Sequence, residues 1–300
     1  MKKSLFKGKK TVSVFIASTM LALTLTTTMN MQVSAAVNTS QSYKVYNASN
    51  GSFVQSYTLS ENPVMDRSKG VIGTDDRFVD FSKNGVVKIV TRGGIGTGFV
   101  VDDHTIATAA HVLYNGNAVP VSHIYFFKQD GSIDMDITNP SYCHIPSIYT
   151  SDVKDAVVHD YALITVEQDL SEYANFNLGA PLDNFISRGS TVLTTGFPGK
   201  VNDKTVNTVT DHNMYTSAGS TVDNVYDASI EISYNNDASG GNSGGPVYTS
   251  TLFNGKFYYT VVGIHAKSAV SGDLPNSANR AVRMTTDLIH FYKNNPNIDY

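Results

Sequence analysis

Three side chains in this sequence stand where their chemistry could be put to use. Ser243 lies in Asp237-Ala238-Ser239-Gly240-Gly241-Asn242-Ser243-Gly244-Gly245-Pro246-Val247, with three glycines within two residues of its hydroxyl. Glycine lets a backbone turn tightly and approach a ligand closely. A serine hydroxyl attacks a carbonyl only when a base takes its proton and N–H groups hold the oxyanion that forms. The amides of Gly241 and Ser243 could provide those N–H groups. The same glycines would equally build a plain surface turn, so the serine alone decides nothing.

The base and its orienting group must come from elsewhere. Among eight histidines, His111 follows Thr105-Ile106-Ala107-Thr108-Ala109-Ala110, a strand running into small residues that leave room for a substrate. Asp160 comes just before the apolar run Tyr161-Ala162-Leu163-Ile164, where it could be buried at the mouth of a strand. A buried carboxylate needs hydrogen-bond donors, and an imidazole N–H is a suitable one. Without further context, His111 could equally be a core histidine at a strand end. Asp160 could be a turn residue, and Asp152 and Asp155 are rival acids.

These residues need a scaffold. From Val86 onward, short β-type runs alternate with Gly, Asn, Asp and Pro. The expected strands are 85–90, 98–101, 105–108, 123–127, 161–166, 191–197, 228–234, 246–249, 257–265 and 280–284. Such lengths and spacings point to an all-β sandwich or barrel. Only residues 286–293, with Thr285 or Thr286 as cap and Pro296 beyond, read as helix. The N-terminus reads as an export signal over residues 1–36. Five lysines precede an apolar run from about Val12 to Leu25, and a small-residue cleavage site lies near Ser34-Ala35-Ala36. Residues 37–70 are polar, without a sustained apolar period, and read as a propeptide or linker poorly able to build a core of its own. They end in Asp66-Arg67-Ser68-Lys69-Gly70, where cleavage would free an amino terminus at Val71 or Gly70. Residues 71–300 form the expected single domain.

Charge and cysteine usage narrow the function classes. The chain has 22 Lys and Arg against 26 Asp and Glu, and eight of the former but two of the latter precede residue 71. The remainder is therefore strongly acidic, which argues against nucleic acid or an anionic membrane as a partner. Cys143 is the only cysteine, so no internal disulfide can form, and it reads as a small buried hydrophobe. No carboxylate-dense loop of EF-hand type is visible, and no metal or other cofactor is expected.

Taken together, Ala109-Ala110-His111, Asp160-Tyr161-Ala162-Leu163-Ile164 and Gly241-Asn242-Ser243-Gly244-Gly245-Pro246 resemble the His, Asp, Ser order of chymotrypsin-like serine proteases. Val71-Ile72-Gly73-Thr74-Asp75-Asp76-Arg77, Thr195-Gly196-Phe197-Pro198-Gly199-Lys200 and Gly263-Ile264-His265 are similar to segments of the secreted bacterial glutamyl endopeptidases. The resemblance covers roughly residues 71–293. It implies two six-stranded antiparallel β-barrels with the active site between them, His111 and Asp160 from the first and Ser243 from the second. It also implies a secreted monomer that is exported as a precursor and acts on protein or peptide substrates.

For substrate selection the resemblance implies a pocket built from His265, a Ser or Thr near the nucleophile, and the freed α-amino group of Val71. A donor-rich pocket suits a carboxylate side chain. Here Ala238 occupies the Ser/Thr position, with Ser239 beside it as a substitute. Asp237 sits at the offset that trypsin uses for basic side chains, which keeps that specificity open. Asn242 replaces the aspartate that pairs with the new N-terminus in trypsin-like zymogens, so any role of the amine lies elsewhere. His265 could also be a buried strand-end histidine.

Three other readings compete. Gly241-Asn242-Ser243-Gly244-Gly245 fits the nucleophile elbow of α/β-hydrolases, with Asp273 or Asp287 and His290 as partners, but Val247-Tyr248-Thr249 reads as strand where that motif requires a helix. A subtilisin-like order of Asp75, His111 and Ser243 fails for the same reason. A barely active binding protein on the protease scaffold, as the exfoliative toxins exemplify, is the rival from a different class.

Overall fold

In the computed structural model the described residues are 39–61, 75, 77–151, 157–174, 176–179, 186–221, 231–268 and 278–293. The expected export signal, the cleavage region with Val71, Asp152, Asp155 and Asp273 lie outside them.

Along the chain the strands run β1 (Thr39–Asn47), β2 (Phe53–Glu61), β3 (Phe78–Val79), β4 (Val86–Thr91), β5 (Gly94–Asp102), β6 (Thr105–Thr108), β7 (Val121–Phe127), β8 (Ile133–Ile137), β9 (Tyr142–Pro146) and β10 (Ala162–Thr165). They continue as β11 (Phe176–Leu178), β12 (Thr191–Gly196), β13 (Lys200–Val201), β14 (Lys204–Thr205), β15 (Tyr215–Ser220), β16 (Glu231–Tyr234), β17 (Pro246–Phe253), β18 (Lys256–Lys267) and β19 (Asn279–Arg283). Two one-turn helices, α1 (Ala110–Leu113) and α2 (Ser147–Thr150), lie in the first half, and α3 (Thr286–Lys293) ends the described chain.

The strands form two curled sheets, apart from β13 and β14, which pair with each other as a small ribbon. The first has the order β2-β1-β9-β10-β6-β5-β4-β7-β8. Only four residues separate β8 from β9, so the chain draws the β7–β8 end round to the β9–β10 end and the sheet curls on itself. Pro140 falls in that gap, where its missing N–H ends one run before the next begins. With β8 and β9 counted as one interrupted strand, β4 to β10 make the expected six. The second sheet has the order β16-β19-β18-β17-β12-β15-β3, with β11 parallel to β18. A bridge between Thr221 and Tyr234 joins the end of β15 to β16, which closes the six strands β12 and β15 to β19. The fold is chymotrypsin-like, with a short C-terminal helix.

Alternating side chains distribute the core over three clusters, because successive residues of a strand face opposite sides. In β5, Phe99 faces the second barrel while Val100 fills the first; in β18, Val261 and Val262 divide in the same way. The cluster between the barrels includes Phe127, Phe197, Tyr248 and, from α3, Leu288, Phe291 and Tyr292. Each fully buried aromatic contributes on the order of 2–3 kcal/mol of transfer free energy. The helix thus packs into the core shared by the two barrels.

Residues 39–47 and 53–61 of the segment read as a propeptide or linker form strands. β1 and β2 form a hairpin whose β1 edge joins β9. Its lack of a sustained apolar period is real: Val45, Tyr46 and Ala48 are buried, while Phe53 and Val54 are exposed. Among the described residues no helix is long and apolar enough to cross a membrane.

Candidate active site

His111 enters the site from α1, directly after β6. Asp160 follows a turn in which its amide donates to the Val157 carbonyl at 3.0 Å, just ahead of β10. Strands β6 and β10 pair with Thr108 opposite Ala162, which sets the two residues side by side. The carboxylate grips the histidine at two points. Oδ1 accepts from the His111 amide at 2.9 Å, and Oδ2 lies 2.6 Å from His111 Nδ1. Since a carboxylate only accepts, Nδ1 carries the proton and Nε2 is left as the base. Burial presses this imidazole toward its neutral form, but the hydrogen bond and charge of Asp160 outweigh that and raise its pKa above the ordinary value.

Ser243 sits in the turn before β17, and that turn is clamped to the first barrel. The Thr97 amide donates to the Ser243 carbonyl at 2.8 Å, and Thr97 Oγ1 donates to the Gly241 carbonyl at 2.7 Å. The same Oγ1 accepts from the Phe197 amide at 3.0 Å. Gly244 has φ +85°, and a Cβ there would fall 2.2 Å from Thr108 Oγ1 and 2.8 Å from the Ala109 amide, two residues before His111. Gly241 has φ +101°, with a Cβ position 2.3 Å from the Phe197 carbonyl oxygen. Only glycine meets both demands at either place. Among the described residues no group accepts from the amides of Gly241 or Ser243, so both remain available as donors.

The residues expected to select the substrate are less alike. His265 is fully buried in β18. Its Nδ1 is hydrogen-bonded to the Tyr234 hydroxyl and its Nε2 lies 3.0 Å from Ser268 Oγ. Burial, with the nearby His111 adding to it, pushes its pKa down to about 3, so this ring is neutral. Ala238 and Asp237 are half-buried in the run leading to the serine. The Ser239 hydroxyl donates to the Lys200 carbonyl at 2.8 Å and accepts from Arg77 at 3.2 Å, which commits it to neighbouring protein groups. Asn242 accepts from the Ser239 amide at 3.1 Å through Oδ1 and so braces the turn. Val71 lies outside the described residues.

Four contributors were not apparent from the sequence. Thr97 and Tyr234 act through contacts that no local pattern announces. Arg77 makes a two-point ion pair with Asp75 (2.9 and 2.6 Å), and Asp75 also accepts from the Asn202 amide at 2.9 Å. These bonds hold the Asp75 carboxyl well below the usual range. Lys88, fully buried in β4, donates to the Thr208 carbonyl at 2.6 Å and so pins the loop beyond β14. A cavity of about 650 Å³ opens beside the histidine, lined by His111, Tyr114, Asn115, Gly116, Tyr149, Thr150 and Ser151.

Residues 96–256, more than half of the chain, match the family described as Trypsin-like peptidase domain. The chain belongs to that family. The matched span of this trypsin-like peptidase holds Thr97, His111, Asp160 and Ser243 together. A glutamyl endopeptidase of Bacillus licheniformis is 24% identical over 236 residues, which cover 75% of this chain and 70% of that protein. A solved Glu endopeptidase in complex with MPD matches with a TM-score of 0.58 and 20% identity, over 75% of this chain and 98% of its own. An inactivated protease paralogue of the scabies mite matches at 0.50 and 15%, over 74% and 98%. The two structural likenesses establish the fold.

Proposed function

We propose that this trypsin-like peptidase is a secreted serine endopeptidase that cleaves peptide bonds through an acyl-enzyme on Ser243, after Glu or Asp residues. The observation that carries the reaction is the two-point hold of Asp160 on His111 beside a glycine turn that presents Ser243. Ser243 Oγ attacks the scissile carbonyl, and Nε2 of His111 takes its proton and returns one to the leaving amine. Asp160 keeps the imidazole in the right tautomer and stabilises its charged form. The amides of Gly241 and Ser243 bind the oxyanion, each donor being worth roughly a hundredfold or more in rate. Water then releases the acyl group.

The acidic preference rests on the likeness to glutamyl endopeptidases and on His265. With the Tyr234 hydroxyl donating to Nδ1, Nε2 carries a proton that a substrate carboxylate can accept in place of Ser268. A neutral ring supplies a hydrogen bond without a charge, so a positive group is still required. The freed amine at Val71 fits, because Asp75 and Arg77 anchor the chain four residues later, within about 14 Å of extended backbone. Half-buried Asp237 favours a second reading, cleavage after Lys or Arg.

Cleavage of peptides that differ only at the residue before the scissile bond, by protein trimmed to begin at Val71, tests this. Glu-containing peptides should be cut best and untrimmed protein should be poorly active. Preference for Lys or Arg, or full activity of the untrimmed chain on Glu peptides, would overturn the specificity reading.

A further inference from the structure

The β1–β2 hairpin is not laid on an outer face of the first barrel; it enters the barrel's seam. β7 pairs with β8 only from Ile124 onward, and β9 runs on from β8 without a partner of its own on that side. β1 takes the vacant place, pairing Tyr43 to Asn47 with Pro146 to Tyr142. Just beyond, the Ala48 amide donates to the Ser141 carbonyl at 3.2 Å while the Ala48 carbonyl accepts from the Val121 amide at 2.8 Å. One residue thus joins the two strands where they part.

The side chains follow the backbone. Val45, Tyr46 and Ala48 are buried, and Tyr46 and Ala48 share an apolar cluster with Ile124, Cys143 and Ile145. Tyr46 lies opposite Cys143 in the ladder, and both are buried in that one cluster. At the turn, Gly51 has φ +73°, and a Cβ there would meet the Ala118 carbonyl oxygen at 2.9 Å. The hairpin also reaches the cavity beside His111. The Tyr46 ring lies 6.3 Å from that of Tyr114, which lies 6.5 Å from that of Tyr149, and α2, carrying Tyr149, rests against β1. Both tyrosines are walls of the cavity.

We propose that this hairpin is a bound strand pair that stays in the barrel after the chain is cut between it and residue 71, so that the mature protein is a two-chain molecule whose cavity beside His111 is held in shape by its own severed N-terminal segment. The cut itself belongs to the reading of the chain as a precursor; the docking does not depend on proteolytic activity. The seat supplies paired backbone on both sides and apolar cover for residues that have no core of their own, a strand-addition mode of recognition.

The test uses the full chain with Ser243→Ala, to stop self-digestion, and a site for a sequence-specific protease placed across residues 62–66. After cutting, gel filtration and intact-mass analysis should find the segment carrying the hairpin at one copy per protein. Alkylation of Cys143 should be no faster than in uncut chain, and deuterium uptake at 110–118 and 142–151 should be unchanged. Ala48→Pro, which removes the amide bonded to Ser141, and Gly51→Ala should each release the segment after cutting and raise alkylation at least tenfold. Loss of the segment from the unaltered hairpin, or its loss with alkylation and exchange unmoved, would overturn the proposal. Because every arm is read without catalysis, failure of the protease reading would leave these outcomes as they stand.

Discussion

The amide of Thr97, on a strand of the first barrel, donates to the carbonyl of Ser243, in the second, at 2.8 Å. The Thr97 hydroxyl reaches the Gly241 carbonyl as well, so one residue fixes both ends of the segment that offers the oxyanion-binding amides. Ser243 is thereby positioned by the barrel that carries His111 and Asp160.

Thr97→Val keeps the backbone bond but removes the hydroxyl and leaves the Gly241 carbonyl and Phe197 amide short of a buried partner. A lost buried bond of this kind costs on the order of 1–3 kcal/mol. Peptide cleavage should show kcat reduced about 10- to 100-fold with KM nearly unchanged, and Thr97→Ser should restore most of it. Equal rates for Thr97→Val and the parent would show that the clamp is irrelevant to the reaction.

The raised pKa of His111 gives the pH dependence a sign. The base must be neutral to act, so kcat/KM should rise with pH through a midpoint above that of an ordinary histidine. In Asp160→Asn the hold on the imidazole is gone, and the rate should fall about 10⁴-fold. The His–Asp pair contributes stability that is complete below the unfolded histidine pKa and is lost as pH rises through the folded one. A rate profile falling with pH across this range would contradict the assignment.

Two other buried histidines act in the opposite sense. Burial lowers His265 to about 3 and His144 to about 4. Between these values and the ordinary histidine pKa the unfolded chain binds more protons, so stability falls as pH drops through that window. Melting temperature should decline steadily below about pH 6, and less steeply in His144→Phe. An unchanged slope in that variant would locate the acid sensitivity elsewhere.

Cys143 offers a simple check on packing. Burial pushes its thiol up to about 12, so almost no thiolate forms near neutrality. Folded protein should resist thiol reagents and react fully in denaturant, and Cys143→Ala should cleave peptides at the parent rate. Rapid labelling of the folded protein would place the thiol at the surface.

Much of this molecule could be read from the chain alone. Each of the ten strands expected from alternation and turn residues overlaps a strand of the structure within the described residues, and the helix from Thr286 to Lys293 matches to the residue. His111 and Asp160 were legible because small residues before one and an apolar strand after the other are local signals. The hairpin at 39–61 was not, even though Asn50-Gly51 marks its turn. Its apolar residues are too few for a period, and those that are buried gain their cover from the first barrel rather than from one another. Strand β15 has only Tyr215 and Thr216 of the aromatic and branched residues that announce a strand, and Ser217, Ala218, Gly219 and Ser220 follow without them. Thr97, Arg77 and Tyr234 escaped notice for a related reason: each works through hydrogen bonds to residues distant in the chain, and sequence spacing carries no trace of them.

The central claim is that His111, held by Asp160, activates the hydroxyl of Ser243. A fluorophosphonate probe, followed by mass spectrometry of protein trimmed to Val71, tests it most directly. The account expects one label per chain, on Ser243, abolished in His111→Ala as well as in Ser243→Ala. Labelling that survives His111→Ala, labelling on a different serine, or none at all would contradict it.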